Sequence, residues 1–116
     1  MDESQTWDIA YYKNANGSSP ALEFIKGLQE RDQYAVLYTL KRLANRNTRR
    51  SMVSRIEGDD HLWELRVFAG NSCRLIFFYE DRHIVVLHGF LKKTKKIPGR
   101  FIQLAQKRYK EYLLSA

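Results

Sequence analysis

The pattern of apolar and polar residues near the N-terminus predicts one strand followed by a helix. The segment WDIAYYK (7–13) mixes aromatic and β-branched residues over one strand length, and NANGSS (14–19) follows it with turn formers. Ser19 can serve as an N-cap, with Pro20 at the first helical position. We therefore expect a helix that ends near Arg31. Its apolar positions at helical spacing are Leu22, Ile25 and Leu28, with Phe24 beside them.

A second helical pattern follows and continues to about Arg46. Its apolar residues recur at intervals of three and four, as they do on the buried stripe of a helix. The short polar stretch from Glu30 to Gln33 separates the two patterns and would fold the helices into a hairpin. The residues of the second pattern are Tyr34, Leu37, Tyr38, Leu40 and Leu43.

The second half of the chain changes to apolar segments of strand length. MVSRIE is followed by LWELRVF, CRLIFFYE and RHIVVLHGF, with the turn-like GDD, AGNS and ED between them. Short connections of this kind predict an antiparallel meander. The nearly continuous apolar runs RLIFF and IVVL indicate strands at the centre of the sheet, with both faces partly covered.

The final segment, IPGRFIQLAQKRYKEYLL (97–114), predicts a C-terminal helix with Pro98 in its first turn. The predicted order is β-α-α-β-β-β(-β)-α, which is an α+β fold. A chain of 116 residues suits one domain over residues 1–116. The apolar stripe of this helix consists of Ile102, Ala105, Tyr109, Tyr112 and Leu113.

Composition and cysteine usage add the expected environment. An apolar content of 44% is enough to offset the conformational entropy of folding. Cys73 is the single cysteine, so we expect a buried thiol, no internal disulfide and a reducing compartment. No apolar run approaches the roughly 20 residues that span a bilayer. We therefore expect a cytoplasmic protein without a membrane partner.

Positive charge is concentrated in two stretches. The chain carries 20 Lys and Arg against 13 Asp and Glu, a net charge of +7. Residues 41–55 contain six bases and no acid, and residues 88–100 contain five bases and no acid. Such clusters attract polyanions, above all nucleic acid, although a solvated basic face without a partner is the other interpretation. The cations that we select as RNA- or ribosome-binding candidates are Arg46, Arg49, Arg50, Lys95, Lys96 and Arg100.

Several kinds of chemistry have no motif in the sequence. The three histidines and one cysteine show no HExxH or CxxC spacing, so we expect no metal. The sequences G-x-S-x-G, G-x-x-x-x-G-K and G-x-G-x-x-G are also missing, so a nucleophile elbow and glycine-rich nucleotide loops are not expected. We predict a protein without a cofactor.

The strands carry charged residues at positions where charge is unusual. In LWELR, Glu64 and Arg66 lie on the same face of a strand, while Trp63 and Leu65 take the other face. A cross-strand ion pair is the commoner explanation of such neighbours, and it stays open here. Arg74 begins the apolar run RLIFF, where an arginine needs a partner or a groove. The last strand adds His88, Lys92 and Lys93.

These residues suit metal-independent cleavage of RNA. In that reaction the 2′-hydroxyl attacks the adjacent phosphorus, so one group removes its proton, an acid assists the departing 5′-oxygen and fixed cations stabilise the phosphorane. Charge stabilisation is often the largest contribution, so a site built from Arg and Lys can support slow cleavage. DNA lacks the 2′-hydroxyl and could not be cut in this way.

The segments LWELR, CRLIFFY, IVVLHGFLKKTKKIPGR and FIQLAQKRYKEYL, taken in this order and spacing, resemble the RelE/ParE superfamily of toxins. The similarity extends over the whole chain and is greatest to the HigB-type branch related to phage proteins. The resemblance implies a toxin of a type II toxin-antitoxin system that cleaves messenger RNA on the translating ribosome as a metal-independent endoribonuclease. It also implies a helix-turn-helix antitoxin of the HigA type as partner, in a toxin-antitoxin hetero-oligomer.

The resemblance also suggests roles for individual residues. Arg66 and Arg74 occupy positions suited to holding the scissile phosphate, and Lys92 and Lys93 match the paired lysines after the last strand. Some relatives place Tyr or His near the C-terminal end for proton transfer, whereas this chain has Phe101. Glu64 and His88 are therefore the candidates for proton transfer.

Two other functions remain compatible with the sequence. A ParE-like relative would inhibit DNA gyrase without any phosphodiester chemistry, because one fold can carry different functions. A plain RNA-binding module would use the same basic patches, because phosphate contacts form whether or not a reactive geometry exists. Codon-level mapping of cleaved messages, together with a supercoiling assay, distinguishes the three.

Overall fold

Five strands and three helices form the protein, described by a computed structural model over residues 6–68 and 70–115. The class is α+β, as the sequence predicts. In chain order the elements are β1 (Asp8–Tyr11), α1 (Pro20–Lys26), α2 (Glu30–Ala44), β2 (Val53–Arg55), β3 (Trp63–Phe68), β4 (Ser72–Glu80), β5 (His83–Leu91) and α3 (Gly99–Ser115).

The strands make one mixed sheet in the order β1-β5-β4-β3-β2. Strands β2 to β5 pair antiparallel with their neighbours in sequence, whereas β1 lies parallel to β5. The sheet is therefore mixed, whereas the predicted meander is purely antiparallel. The difference arises because the helical hairpin carries the chain from β1 at one edge of the sheet to β2 at the other. The apolar strands β4 and β5 are central, as their composition predicts.

Helices α1 and α2 cover one face of the sheet. Ile25 of α1 and Val36 and Leu40 of α2 are buried in one cluster with the apolar side chains of that face. Helix α1 lies so close to β5 that a Cβ on Gly89 would clash with the Phe24 ring. The sheet residues of this cluster are Leu65, Val67, Cys73, Leu75, Phe77, Ile84 and Val86.

Helix α3 covers part of the opposite face. Ala105 is fully buried against the sheet, and Tyr109 meets Phe78 edge to face with ring centroids 4.7 Å apart. The sheet residues below it include Ile76, Phe78, Val85, Leu87 and Phe90. Within the described part of the chain, no helix is both long enough and apolar enough to cross a membrane.

The break between α1 and α2 lies earlier than predicted. Helix α1 ends at Lys26 with Gly27 as its C-cap, and α2 already begins at Glu30. The acidic residues assigned to the break instead form the first turn of α2, where carboxylates interact favourably with the helix dipole. Gln33 joins the two helices, because its amide donates to the carbonyl oxygens of Lys26 and Leu28 at 3.2 and 2.8 Å.

Of the five residues in the apolar pattern predicted for α2, two are buried and three are exposed. Leu40 and Leu43 are buried, as expected. Tyr34 and Tyr38 are each 65% exposed, and Leu37 is 47% exposed. These three residues follow at i, i+3 and i+4, so they form one exposed patch, which we name the α2 patch.

Candidate functional site

Two arginines and a glutamate meet on the α3-facing side of the sheet. Arg66 of β3 stands directly opposite Arg74 of β4. Like charges at such a position repel each other unless a counter-ion lies between them. Glu64 supplies that counter-ion, with its two carboxylate oxygens 3.0 Å from Arg66 Nη1 and 3.1 Å from Arg74 Nε. The predicted sharing of one strand face by Glu64 and Arg66 is confirmed.

The guanidinium of Arg66 is held from three sides. Its Nε donates to the carbonyl oxygen of Ser51 at 2.6 Å, and its Nη1 donates to Ser54 Oγ at 2.9 Å and to Glu64. The side chain is 23% exposed. Arg66 is thus fixed on β3, next to the edge strand β2, with part of its charge accessible.

Arg74 is less fully satisfied. Its Nη1 donates to the carbonyl oxygen of Cys73 at 3.1 Å. Its Nε lies 3.1 Å from Glu64 Oε2, but the angles do not form a hydrogen bond, so both buried atoms lack an aligned partner. This contact is therefore an ion pair without an aligned hydrogen bond, and the Arg74 side chain remains 14% exposed toward the groove.

A basic groove opens beside Arg74. It has a volume of about 420 Å³ and lies where β4 begins and β5 ends. The backbone N–H of Lys92 donates to the carbonyl oxygen of Ser72 at 2.8 Å, which joins the two strand ends below the groove. The groove is lined by Ser72, Arg74, Lys92, Lys93, Thr94 and Lys95. Four of these six residues are cations, so the groove is a site for an anion.

Glu64 is buried and faces two cations. It is 7% exposed, and each oxygen is directed at a different arginine. The ion pair that the sequence left as the alternative for Glu64 and Arg66 is present. This arrangement makes Glu64 the group that positions both arginines.

His88 is brought to the α3 side by a bulge. The register between β4 and β5 shifts so that Ile76 faces His88 and Phe77 faces Val86. The extra residue lets the imidazole contact the Phe101 ring, with centroids 4.8 Å apart. His88 therefore lies under the start of α3, near the groove residues of β4 and β5.

Burial and the contact with Arg108 of α3 together determine the chemical state of His88. Arg108 Nη1 lies 2.8 Å from the carbonyl oxygen of Leu87 and 3.3 Å from His88 Nδ1. Because arginine only donates, Nδ1 accepts in this contact and the proton of the neutral ring is on Nε2. Burial, followed by the nearby Arg108 charge, lowers the pKa of His88 from 6.5 to about 4. His88 is therefore neutral at pH 7, and its Nε2 is buried without a partner.

Five of the six remaining candidate cations fall into two groups. Lys95, Lys96 and Arg100 are exposed around the groove and the start of α3, and Arg49 and Arg50 immediately precede Ser51, which binds Arg66. Arg46 is separate from both. Its guanidinium lies over the Trp7 ring, 5.1 Å from the centroid, at the end of the sheet where β5 begins. The segment 41–55 is therefore not one continuous basic surface.

Ser51, Ser54 and Arg108 contact site residues but were not among the residues predicted from the sequence. The first two act on Arg66 through β2, whose pairing with β3 has no local sequence signal. Arg108 does carry a signal, because it interrupts the stripe formed by Ala105 and Tyr109 with a cation. Among the residues that the structure describes, no group of His, Cys, Asp and Glu is arranged to hold a metal ion.

Comparison with known proteins identifies the family. Residues 23–110 match the model of the phage derived protein Gp49-like (DUF891) family. No curated protein matches the chain. The matched range contains α2, all of β2 to β5 and most of α3, and so includes the arginine pair and the basic groove. The chain therefore belongs to the Gp49-like family of phage-derived proteins, a family of RelE-type toxin-like proteins.

Proposed function

We propose that the protein is the toxin of a type II toxin-antitoxin system and acts as a metal-independent, ribosome-dependent mRNA endoribonuclease that inhibits translation. The observation that carries this proposal is the basic groove, in which Arg74 lies beside Lys92 and Lys93. Membership of a toxin-like family supports the same conclusion. An enzyme that acts on translating ribosomes works in the cytoplasm.

The groove supplies what cleavage by the RNA 2′-hydroxyl needs most. Negative charge increases on the phosphate oxygens as the hydroxyl attacks, and cations placed beforehand stabilise that charge. The Arg74 side chain is 14% exposed and lines the groove, so its guanidinium can donate to one oxygen, and Lys93 can approach from the opposite strand end. Lys92 adds a third positive charge. The 2′-hydroxyl gives its proton to water as it bonds to phosphorus, and the bond from phosphorus to the 5′-oxygen breaks. The 5′-oxygen takes up a proton from water and leaves as a hydroxyl, and the other product ends in a 2′,3′-cyclic phosphate.

Arg66 and Glu64 support the groove in this scheme. Arg66 lies opposite Arg74, and Glu64 holds the two guanidinium groups at a fixed separation. A proton-accepting role for Glu64 would require it to leave at least one arginine. We therefore assign Glu64 mainly to the positioning of Arg66 and Arg74.

His88 is the other candidate for proton transfer. At pH 7 its ring is neutral and its Nε2–H is a donor, because Nδ1 accepts from Arg108. A group with a pKa of about 4 is a weak base near neutral pH. The rate enhancement is accordingly assigned to the cations, because the Nε2–H of the neutral His88 ring is itself buried.

The exposed cations around the groove would bind ribosomal RNA. Lys95, Lys96 and Arg100 continue the positive charge from the groove along the loop to α3. Arg49 and Arg50 extend it on the Arg66 side. Flexible exposed cations suit phosphate contacts that orient a protein without reading sequence.

The proposed partner is a helix-turn-helix antitoxin of the HigA type. A toxin of this family has an antitoxin, and the α2 patch is a surface on which one could bind. Exposed Tyr and Leu side chains clustered on one helix face are typical of interfaces. Arg31 and Lys41 flank the patch on the same helix, so we expect acidic residues on the rim of the antitoxin surface.

Primer extension on a translated message tests the proposed function. We expect new 5′ ends in phase with codons when the protein is added to a translation reaction, and none on the same message without ribosomes. Intact RNA together with loss of DNA supercoiling by gyrase would instead show a gyrase inhibitor. Intact RNA with ribosome binding alone would show a module that binds without cutting.

A further inference from the structure

A second concave site lies at the opposite end of the sheet from the basic groove. It is lined by Trp7, Leu43, Arg46, Thr48 and Tyr79 and has a volume of about 310 Å³, at the lower limit of ligand pockets. We name it the Trp7 pocket. Tyr79 pairs with Ile84 at the start of β5, whereas Arg74 pairs with Phe90 at its end, so the two sites are separate.

The aromatic walls of the Trp7 pocket are held in place. Trp7 meets Tyr79 edge to face, with centroids 5.3 Å apart and an interplanar angle of 83°. Trp63 contacts the same tyrosine at 5.4 Å and 72°. Tyr79 nevertheless remains 37% exposed. The pocket thus has rigid aromatic surfaces that are accessible from one side.

Arg46 occupies a backbone position that usually belongs to glycine. The backbone N–H of Arg46 donates to the carbonyl oxygen of Leu43 at 3.0 Å, and the N–H of Asn47 donates to the carbonyl oxygen of Arg42 at 2.8 Å. These two hydrogen bonds form a Schellman motif at the end of α2. The φ of Arg46 is +59°, in the left-handed region where a side chain costs about 1 kcal/mol or more. A glycine would relieve this strain but would leave the Trp7 pocket without its cation.

The strained backbone places a positive charge against the pocket wall. The Arg46 guanidinium lies 5.1 Å from the Trp7 centroid, within the range of a cation–π contact. Arg55 lies in the same way 5.4 Å from the centroid of Trp63, on the other side of Tyr79. Aromatic rings for stacking and arginines for phosphates are the combination by which proteins hold single-stranded nucleic acid.

We propose that the Trp7 pocket binds one unpaired nucleotide of RNA. The base would stack on one of the two perpendicular rings, Trp7 or Tyr79, and contact the edge of the other, and the phosphate would face Arg46. Leu43 supplies apolar contact, and Thr48 can hydrogen-bond a base edge. This site would give the proposed toxin a second contact with RNA, remote from the groove, and its binding can be measured without any cleavage.

The indole signals of the two tryptophans provide a direct test. The probe is a mixed-sequence RNA hexamer with 2′-O-methyl groups, which cannot be cut by attack of a 2′-hydroxyl. We expect the Nε1–H signal of Trp7, identified with the Trp7→Phe variant, to shift and saturate during titration. An unmoved Trp7 signal at RNA concentrations that shift signals of groove residues would overturn the proposal.

Arg46→Gly and Arg82→Gly form a matched pair of variants. Each replaces an exposed arginine in the left-handed region by glycine and removes one positive charge at this end of the sheet, but Arg82 does not line the pocket. We expect Arg46→Gly to weaken hexamer binding about tenfold, the effect of one charged hydrogen bond. Arg82→Gly should change it less than about twofold, because an exposed charge is screened.

The outcomes of this pair decide the proposal independently of the endoribonuclease function. A selective loss with Arg46→Gly, with thermal unfolding retained, supports a nucleotide site. Equal losses in both variants would mean that only net charge matters, and unchanged binding in Arg46→Gly would mean that the guanidinium only packs on Trp7. Either of these results overturns the proposal, whether or not the protein cuts messenger RNA.

Discussion

At the residue scale, the charged cluster on β3 and β4 depends on one buried acid. Arg66 and Arg74 face each other across the strands, and Glu64 is the carboxylate that lies between them. Buried charges need partners, and removal of one partner costs more than the pair contributes. The three residues are therefore expected to respond to mutation as a unit rather than additively.

Loss of a groove cation should slow cleavage without unfolding the protein. Arg74→Ala and Lys93→Ala each remove a contact that strengthens as charge develops on the phosphate, so we expect single-turnover cleavage to fall about 10²- to 10³-fold. Lys92→Ala should have a smaller effect, because neighbouring lysines can replace a flexible charge. Circular dichroism provides the control for folding. Full activity in a folded Arg74→Ala variant would remove Arg74 from the site.

Glu64→Gln should reduce both stability and cleavage. The amide keeps the size of the carboxylate but leaves the two arginines without their counter-ion, so we expect a loss of about 1–3 kcal/mol in the free energy of unfolding. Chemical denaturation measures this loss. An unchanged unfolding free energy with cleavage abolished would instead indicate that Glu64 transfers a proton.

The depressed pKa of His88 should make stability depend on pH. The folded protein holds this imidazole with a pKa of about 4 instead of 6.5, so the unfolded chain takes up the proton first as the pH falls. The contribution of neutral His88 is complete above pH 6.5 and is lost as the pH falls toward 4, with no further loss below. Denaturation of the wild-type protein and His88→Gln between pH 7.5 and 4.5 tests this. The variant should lose less stability on acidification, and parallel curves would contradict the assignment.

The residue positions were predictable to different degrees. Strand alternation placed Glu64 and Arg66 on one face, because side chains on a strand repeat every two residues. The contact of Arg108 with His88 was not predictable, since it depends on how α3 lies across the sheet and on a bulge in β5. The left-handed φ of Arg46 is likewise not evident from the residue type.

At the element scale, the helical hairpin shows where local patterns fail. The polar residues from Glu30 to Gln33 predicted a break, but Gly27 ends α1 and the acids begin α2. Composition alone could not distinguish a polar loop from the first turn of a helix, because both favour acidic residues. The parallel pairing of β1 with β5 was also missed, since nothing in either strand specifies a partner more than 70 residues away.

A charge in the α2 patch should separate antitoxin binding from toxicity. Leu37 is 47% exposed on the outer face of α2, so Leu37→Glu should fold normally, cleave as the wild type does and bind the antitoxin at least about tenfold more weakly. Gln103→Glu on α3 is the matched control, an added charge on an exposed residue outside the patch. Affinity can be measured with the two proteins produced from one operon. Equal affinities for Leu37→Glu and Gln103→Glu would place the antitoxin elsewhere.

At the scale of the whole molecule, positive charge is divided between the two ends of the sheet. The basic groove and its exposed rim lie where β5 ends, and the Trp7 pocket lies where it begins. This division is not evident from spacing along the chain, because Arg46 and Arg49 are near neighbours in the sequence. The loop between α2 and β2 leads from Arg46, which lies over Trp7, to Ser51, which binds Arg66. We therefore expect the proposed ribosome contact and the proposed phosphate chemistry to respond to different substitutions.

Neutralising Arg49 and Arg50 should weaken ribosome binding but leave the cleavage position unchanged. Each lost phosphate contact should flatten the salt dependence of binding by about 0.7 to 0.9 log units, the values known for nucleic acids. Binding to ribosomes at several salt concentrations measures the slope. The double Gln variant with an unchanged slope would show that these arginines are an ordinary solvated surface.

Cleavage of a message with one altered sugar tests the central claim most directly. Ribosomes are programmed with a short message whose scissile nucleotide carries either a 2′-hydroxyl or a 2′-hydrogen, and single-turnover cleavage is measured for the wild-type protein and for Arg74→Ala. We expect the wild type to cut only the message with the hydroxyl, and Arg74→Ala to cut it about 10²- to 10³-fold more slowly. Cleavage of the 2′-deoxy message, or no cleavage of either message by the wild type, would contradict the proposed reaction.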